Sequence, residues 1–236
     1  AWERKWRTGE RIAIEAPSDG QPVVVTSRGV FTFPDGKPAA DVSRWQVSAS
    51  GRTHEFKVDA GGFWQAHQDA PTLLVEAVLS AARAEPGQTI IEFYAGAGLF
   101  TRFLADEVKP GGKIFSLEGS TAAVRNAHSN LRDDVESGLV TLYTGNVDEE
   151  AVKQITEEAQ GVVNTVVLDP PRKGVPEEVV RAIGDTTATK VVLVSCDPAA
   201  AARDLARFLE VGFALGDLRA FDIFPHSHHF ETVAEL

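Results

Sequence analysis

From about Asp69 onward the chain alternates short apolar runs with amphipathic ones, and this alternation constrains the fold more than any other feature. The runs Thr165-Val166-Val167-Leu168 and Val191-Val192-Leu193-Val194 carry no polar residue at every second position. Strands covered by helices on both faces have that pattern, whereas half-exposed strands alternate. The spacing predicts strands at 89–94, 113–118, 139–144, 164–169 and 190–195, with two more near 213–222 and 229–236. Helical periodicity falls between them, near 100–107, 121–131, 149–159, 176–184 and 198–210, and again before them at Leu73, Leu74, Ala77, Val78 and Ala81. Strand and helix in strict turn imply a doubly wound, mostly parallel α/β sheet of seven strands over residues 61–236. Residues 1–60 read differently. Val23-Val24-Val25-Thr26 and Val30-Phe31-Thr32-Phe33, followed by the turn Pro34-Asp35-Gly36, indicate a small β-rich segment.

Composition narrows the function. At 236 residues, 43% hydrophobic and 24% charged, the chain belongs with globular domains rather than disordered or fibrous ones. The formal net charge of −11 argues against a surface built to hold a polyphosphate by charge alone. Cys196 is the single cysteine, which excludes an internal disulfide and a cysteine-held iron–sulfur cluster, and points to a reducing compartment. No apolar run approaches the roughly 18 residues that a membrane span needs, so a cytoplasmic protein without membrane attachment is expected. The chain opens at Ala1 and contains no methionine, which fits processing or a missing front end.

The first α/β strand runs into Glu92-Phe93-Tyr94-Ala95-Gly96-Ala97-Gly98-Leu99-Phe100. Gly96 and Gly98 permit a tight turn and let a ligand approach bare backbone. A dinucleotide fingerprint would place a third small residue at position 101, where this chain has Thr. Glu118 closes the second strand twenty positions after Gly98, where a carboxylate can take the ribose hydroxyls of an adenosine. This combination suits S-adenosylmethionine better than NAD. The plainer alternative is a loop shaped by glycine and a solvated Glu118. Tyr94, at the strand end, joins the expected cofactor contacts. Asn146, in the turn after the third strand, offers an amide to an adenine edge, and Gln65, after Phe63-Trp64, can meet the charged end of the ligand.

Two further loops carry reactive groups. Asp169-Pro170-Pro171-Arg172-Lys173-Gly174 ends the fourth strand, and its prolines stiffen a loop that holds Asp169 at the carboxyl edge of the sheet. Ser195-Cys196-Asp197-Pro198-Ala199 ends the fifth, so the one thiol sits at a strand mouth, where a helix N-terminus and Arg172 or Lys173 are expected to lower its pKa. The last motif, Phe224-Pro225-His226-Ser227-His228-His229-Phe230-Glu231, groups three histidines. Their spacing is not a metalloenzyme motif, and no metal is expected. Glu231 is a candidate general base.

Taken in order, Asp169-Pro-Pro-Arg-Lys-Gly174, Ser195-Cys-Asp-Pro-Ala199 and Pro225-His-Ser-His-His-Phe-Glu231, behind Gly96-Ala-Gly98, resemble the motifs of the S-adenosylmethionine-dependent RNA uracil-5-methyltransferases, which make 5-methyluridine in tRNA or ribosomal RNA. The resemblance runs from about Gly61 to Leu236. It implies a class I methyltransferase fold, S-adenosylmethionine as cofactor and RNA as partner. It also implies Cys196 as nucleophile, Glu231 as base, Gln65, Glu118 and Asp169 in cofactor or uracil binding, and Arg172 on substrate charge or phosphate. Residues 1–60 then correspond to the remnant of an RNA-facing domain, with the basic stretch Arg4-Lys5-Trp6-Arg7 at its edge or as a solvated tail. Position 197 is Asp where the family commonly has Asn, and that charge, taken alone, would raise the thiol pKa. The competing readings are a methyltransferase acting on another nucleophile and a catalytically weak RNA-binding module.

Overall fold

The computed structural model describes residues 9–224, 227 and 229–236. The basic stretch Arg4–Arg7 and Pro225, His226 and His228 of the last motif lie outside the described residues.

Three short strands, β1 (Ile12–Glu15), β2 (Val23–Thr26) and β3 (Gly29–Thr32), form an antiparallel sheet in that order. A hairpin of β4 (Val42–Ala49) and β5 (Arg52–Asp59) follows. Its two turn residues both have positive φ, 49° at Ser50 and 74° at Gly51, the type I′ geometry that matches the twist of paired strands. The sequence reading assigned no strand to β1 or to this hairpin. The signal in 42–59 is an alternation in which Ser43, Val47, Ala49, Phe56 and Val58 point inward, interrupted by polar residues on the other face.

The remaining elements alternate as expected: α1 (Ala70–Ala82), β6 (Thr89–Phe93), α2 (Leu99–Val108), β7 (Lys113–Glu118), α3 (Thr121–Asn130), a short α4 (Arg132–Glu136), β8 (Val140–Thr144), α5 (Glu149–Glu158), β9 (Thr165–Leu168), α6 (Glu177–Gly184), β10 (Lys190–Ser195), α7 (Pro198–Glu210), β11 (Leu218–Phe221) and β12 (Glu231–Glu235). The seven-stranded sheet has the order β8-β7-β6-β9-β10-β12-β11. Only β12 runs against its neighbours, pairing antiparallel with both β10 and β11. The winding reverses at β6, and in open α/β sheets ligands bind beyond the carboxyl ends of the strands at such a switch point.

Both faces of the sheet are covered. Ile90, Ile114, Val167, Val192 and Val194 pack with α1 and α2 on one side, while Ile91, Phe93, Val166, Leu168, Val191 and Leu193 pack with α5, α6 and α7 on the other. This two-sided burial is why β9 and β10 show no alternation in sequence. The β4–β5 hairpin belongs to the first of these cores, through Val47, Ala49 and the fully buried Phe56. It is also tied to α2 by polar contacts. His54 Nε2 lies 2.8 Å from Asp106 Oδ2, and Arg102 Nε donates to His54 Nδ1 at 3.2 Å. Among the described residues no helix is long and apolar enough to cross a membrane.

Because Phe56 packs into the main core, Phe56→Ala is expected to destabilise the whole fold by about 3–5 kcal/mol. Urea unfolding should show one transition moved to lower denaturant, with the hairpin and the α/β sheet melting together.

Candidate active site

The carboxyl edge of the sheet opens on one cavity of about 830 Å³. Gln65, Tyr94, Gly96, Glu118, Asn146, Asp169, Arg172, Cys196 and Glu231, drawn from seven separate segments, all line it. Helix N-termini converge on the same edge. Ser120, Asp148 and Asp197 each cap a helix there, their side chains accepting the backbone N–H of Ala123 at 3.3 Å, Ala151 at 2.9 Å and Ala200 at 2.8 Å. The residue after each of β6, β7, β8, β9 and β10 lines the cavity.

The two glycines of the first loop do different work. Gly96 has φ +56°, and a Cβ added there would meet no atom within 4 Å, so it keeps open space bare beside the backbone. Gly98 does not line the cavity. A Cβ on it, at φ +86°, would stand 2.8 Å from Leu131 and 3.6 Å from Ala127, so this position lets the start of α2 pack beside α3. Tyr94 adopts φ 64°, a left-handed conformation unusual for a bulky residue, and partial burial pushes its phenol up to about 12. Glu118 receives two backbone donors, Gly96 N–H at 3.0 Å and Ser120 N–H at 2.7 Å, which fix its carboxylate beside the glycine loop with lone pairs to spare.

Asp169 lies one position past Leu168, which pairs with Phe93 on one side and Leu193 on the other. Its carboxyl is pushed up to about 8, first by burial and then by the nearby Glu231, Glu92 and Glu118. Beneath the loop, Glu92 is fully buried, accepts from the Thr101 and Ser116 hydroxyls, and is pushed up to about 7 chiefly by burial.

Cys196 and Glu231 lie at the end of the β10–β12 ladder, and both line the cavity. The last registered pair is Ser195 with Thr232, and that antiparallel register continued by one step sets Cys196 opposite Glu231. Directly opposite residues in such a ladder have Cβ atoms about 4.5–5.5 Å apart. Thr232 Oγ1 donates to Ser195 O at 3.1 Å and pins that register at the site. Glu231 is 4% exposed, its Oε2 has no hydrogen-bond partner among the described residues, and burial pushes its carboxyl up to about 7. A buried, unpaired carboxylate near neutrality is a base waiting for a proton.

The thiol departs from the expectation that its pKa is lowered. Burial raises it most, Glu231 and Asp169 raise it further, and Arg172 opposes them. Asp197, whose charge was expected to act on the thiol, instead turns its carboxylate to the N-terminus of α7 and is itself held low by the Ala200 N–H. Trp64, Phe224 and His229, which sequence places only within motifs, also line the cavity, as does Asn126, which sequence does not single out. Trp64 stacks on Trp45 with ring centroids 5.6 Å apart, so it serves core and cavity at once. His229 stands two residues before Glu231, a spacing that puts side chains on one face of an extended run.

A family model described as tRNA (Uracil-5-)-methyltransferase matches residues 40–236. The chain belongs to this family. Among curated relatives, an uncharacterized RNA methyltransferase of Bifidobacterium longum is 35% identical over 99% of this chain and 55% of its own length. Another, from Streptomyces avermitilis, is 40% identical over 80% of this chain and 41% of its own. The chain therefore spans about half the length of the curated relatives it matches. In fold it is similar to the Pyrococcus abyssi tRNA (uracil-54, C5)-methyltransferase solved in complex with S-adenosyl-L-homocysteine, with a TM-score of 0.63 and 21% identity over 91% of this chain and 58% of that one. The family match begins at residue 40, just before the hairpin whose Val58 and Asp59 form part of the cavity wall.

The electrostatics of the family's thiol position are open to direct measurement. Asp169→Asn removes a neighbour that raises the thiol and should speed iodoacetamide labelling of Cys196 near pH 8, whereas Arg172→Ala should slow it. The pH midpoint of labelling should move down in the first variant and up in the second.

Proposed function

We propose that this chain is the catalytic part of an enzyme that methylates C5 of a uridine in tRNA or ribosomal RNA in the cytoplasm, using S-adenosylmethionine and a covalent bond from Cys196 to uracil C6. The observation that carries the reading is that Cys196 and Glu231, which flank the last registered pair Ser195–Thr232, line the same cavity as the glycine loop and Glu118.

The residues present fit the cofactor. Gly96 leaves open space where a side chain would intrude, the fixed Glu118 carboxylate suits ribose hydroxyls, and Gln65 and Asn146 add amides at the cavity wall. When bound, S-adenosylmethionine supplies a methyl group on a sulfonium, an electrophile for a carbon nucleophile. Uracil C5 is a poor nucleophile by itself. The Cys196 thiolate adds to C6, forming the S–C6 bond while the C5=C6 pair moves toward O4, and C5 becomes enolate-like and nucleophilic. After methylation, Glu231 takes the C5 proton, the double bond reforms, and the C6–S bond breaks to return the thiolate. Asp169, largely protonated at neutral pH, both donates and accepts, which complements the adjacent N3–H and O4 of uracil. Arg172, exposed at the mouth, meets substrate charge or phosphate. The base must leave its stack to reach the thiol, which costs least in a single-stranded loop.

Cys196→Ala is expected to abolish formation of 5-methyluridine and the release of tritium from 5-tritiated uridine in RNA. Glu231→Gln should accumulate a protein–RNA adduct that survives denaturing electrophoresis. Turnover by the alanine variant, or methylation without tritium release, would instead assign the methyl to a different nucleophile.

The base must be deprotonated and the sulfur ionised. With Glu231 at about 7 and the thiol above its ordinary value, kcat/KM should therefore climb with pH through neutrality, and loss of the Asp169 proton near 8 should then oppose the rise. A profile falling through neutrality would contradict both roles.

A further inference from the structure

Asp204 is a carboxylate 1% exposed in the middle of α7, away from the reacting groups. A charge buried to that degree persists only when its partners are close and well aligned. Here they come from the loop that carries Asp169 and Arg172. Val175 N–H donates to Asp204 Oδ2 at 2.7 Å. Arg203 Nε donates to Oδ1 at 3.1 Å, and the same guanidinium reaches Lys173 O at 2.6 Å. Arg207 Nη1 donates to Val175 O at 3.2 Å and lies 3.5 Å from Asp204 Oδ1. Gly174, at φ +76°, lies so near this cluster that an added Cβ would collide with Asp204 Oδ2 and Arg203 Nη2.

The far end of the Asp169–Val175 loop is thus fastened to α7. The near end of α7 is fastened to the thiol segment by Asp197, which caps the helix immediately after Cys196. One helix therefore carries the nucleophile at its start and holds the loop of Arg172 at its middle. We propose that Asp204 is a positioning residue, which through Val175, Arg203 and Arg207 fixes the distance between the Arg172 guanidinium and the Cys196 thiol. Arg172 is the side chain that favours the thiolate against Glu231 and Asp169, so the latch acts on the thiol through it.

This inference rests on Cys196 as the nucleophile for its purpose in the reaction, but its test does not depend on methylation. Iodoacetamide labelling of Cys196 as a function of pH is read in the intact protein for Asp204→Asn, Arg172→Ala and the double variant. Asn retains an acceptor for the Val175 N–H while losing the charge that holds both arginines. Labelling near pH 8 is expected to slow severalfold in Asp204→Asn, with the double variant no slower than Arg172→Ala alone, because both changes remove one interaction. In RNA methylation the same variant should lower kcat while leaving KM for S-adenosylmethionine within about twofold, since the glycine loop and Glu118 are not part of the latch. A labelling profile that superimposes on that of the parent protein, or effects of the two substitutions that add independently, would overturn the proposal. If Asp204→Asn fails to fold, Arg203→Gln decides the matter. It removes the contact to Lys173 O and one donor to Asp204 while leaving the Val175 N–H and Arg207 on the buried carboxylate, and slower labelling supports the latch while unchanged labelling rejects it.

Discussion

The site depends on one strand running the wrong way. Parallel strands deliver their carboxyl ends to the same edge of the sheet, which explains why Tyr94, Glu118, Asp169 and Cys196 gather there. A residue at the start of a further parallel strand would lie at the opposite edge. β12 is antiparallel to β10 and β11, so its first residue, Glu231, arrives at the edge where the others end. Cys196, one position past β10, and Glu231, the first residue of β12, then lie at the end of a ladder whose register is fixed by backbone hydrogen bonds, and the Thr232 contact to Ser195 O guards that register. A slip of one residue would turn Glu231 to the other face of the sheet.

Gathering carboxylates at that edge has an electrostatic cost, and the fold meets it by letting them hold protons. Asp169 at about 8 and Glu231 and Glu92 at about 7 are raised first by burial. The same crowding makes the thiol harder to ionise. Arg172 opposes that trend, and the α7 latch keeps it in range. The thiol thus stands above its ordinary value, in contrast to a cysteine whose pKa is lowered outright by a helix N-terminus.

Much of this was legible in sequence because two-sided burial and strand-end loops leave strong marks. β7 and β10 were bounded to the residue, and nine of the ten expected site residues share one cavity. What was not legible follows from physics that a linear pattern does not express. The hairpin at 42–59 buries only one face, so its inward Val47, Ala49, Phe56 and Val58 are diluted by polar neighbours, and its core partners are far along the chain. Gly98 and Gly96 look alike in sequence, yet only a three-dimensional neighbour, Leu131, tells a packing glycine from a cavity glycine. Asp197 next to a thiol suggests repulsion until the helix it caps is seen to take its charge. Asp204 gave no signal, because the Val175 N–H that it accepts lies 29 residues away in the chain.

The net charge of −11 carries a different meaning for a chain proposed to act on RNA. That figure counts every carboxylate as ionised. Three of them, Glu92, Asp169 and Glu231, have carboxyls raised to about 7 or 8, so near neutrality they contribute well under three negative charges between them. Of these, Asp169 and Glu231 line the cavity, while Glu92 lies buried beneath the glycine loop. At the mouth itself stand the exposed Arg172 and Lys173, with Arg203 beside Lys173. Screening at physiological ionic strength cuts off fields beyond about 8 Å, so a phosphate arriving at the mouth senses these nearby groups far more than the acidic residues of α5 on the outer surface. Local charge, set by burial on one side and by the latched arginine loop on the other, is what an incoming strand of RNA would meet.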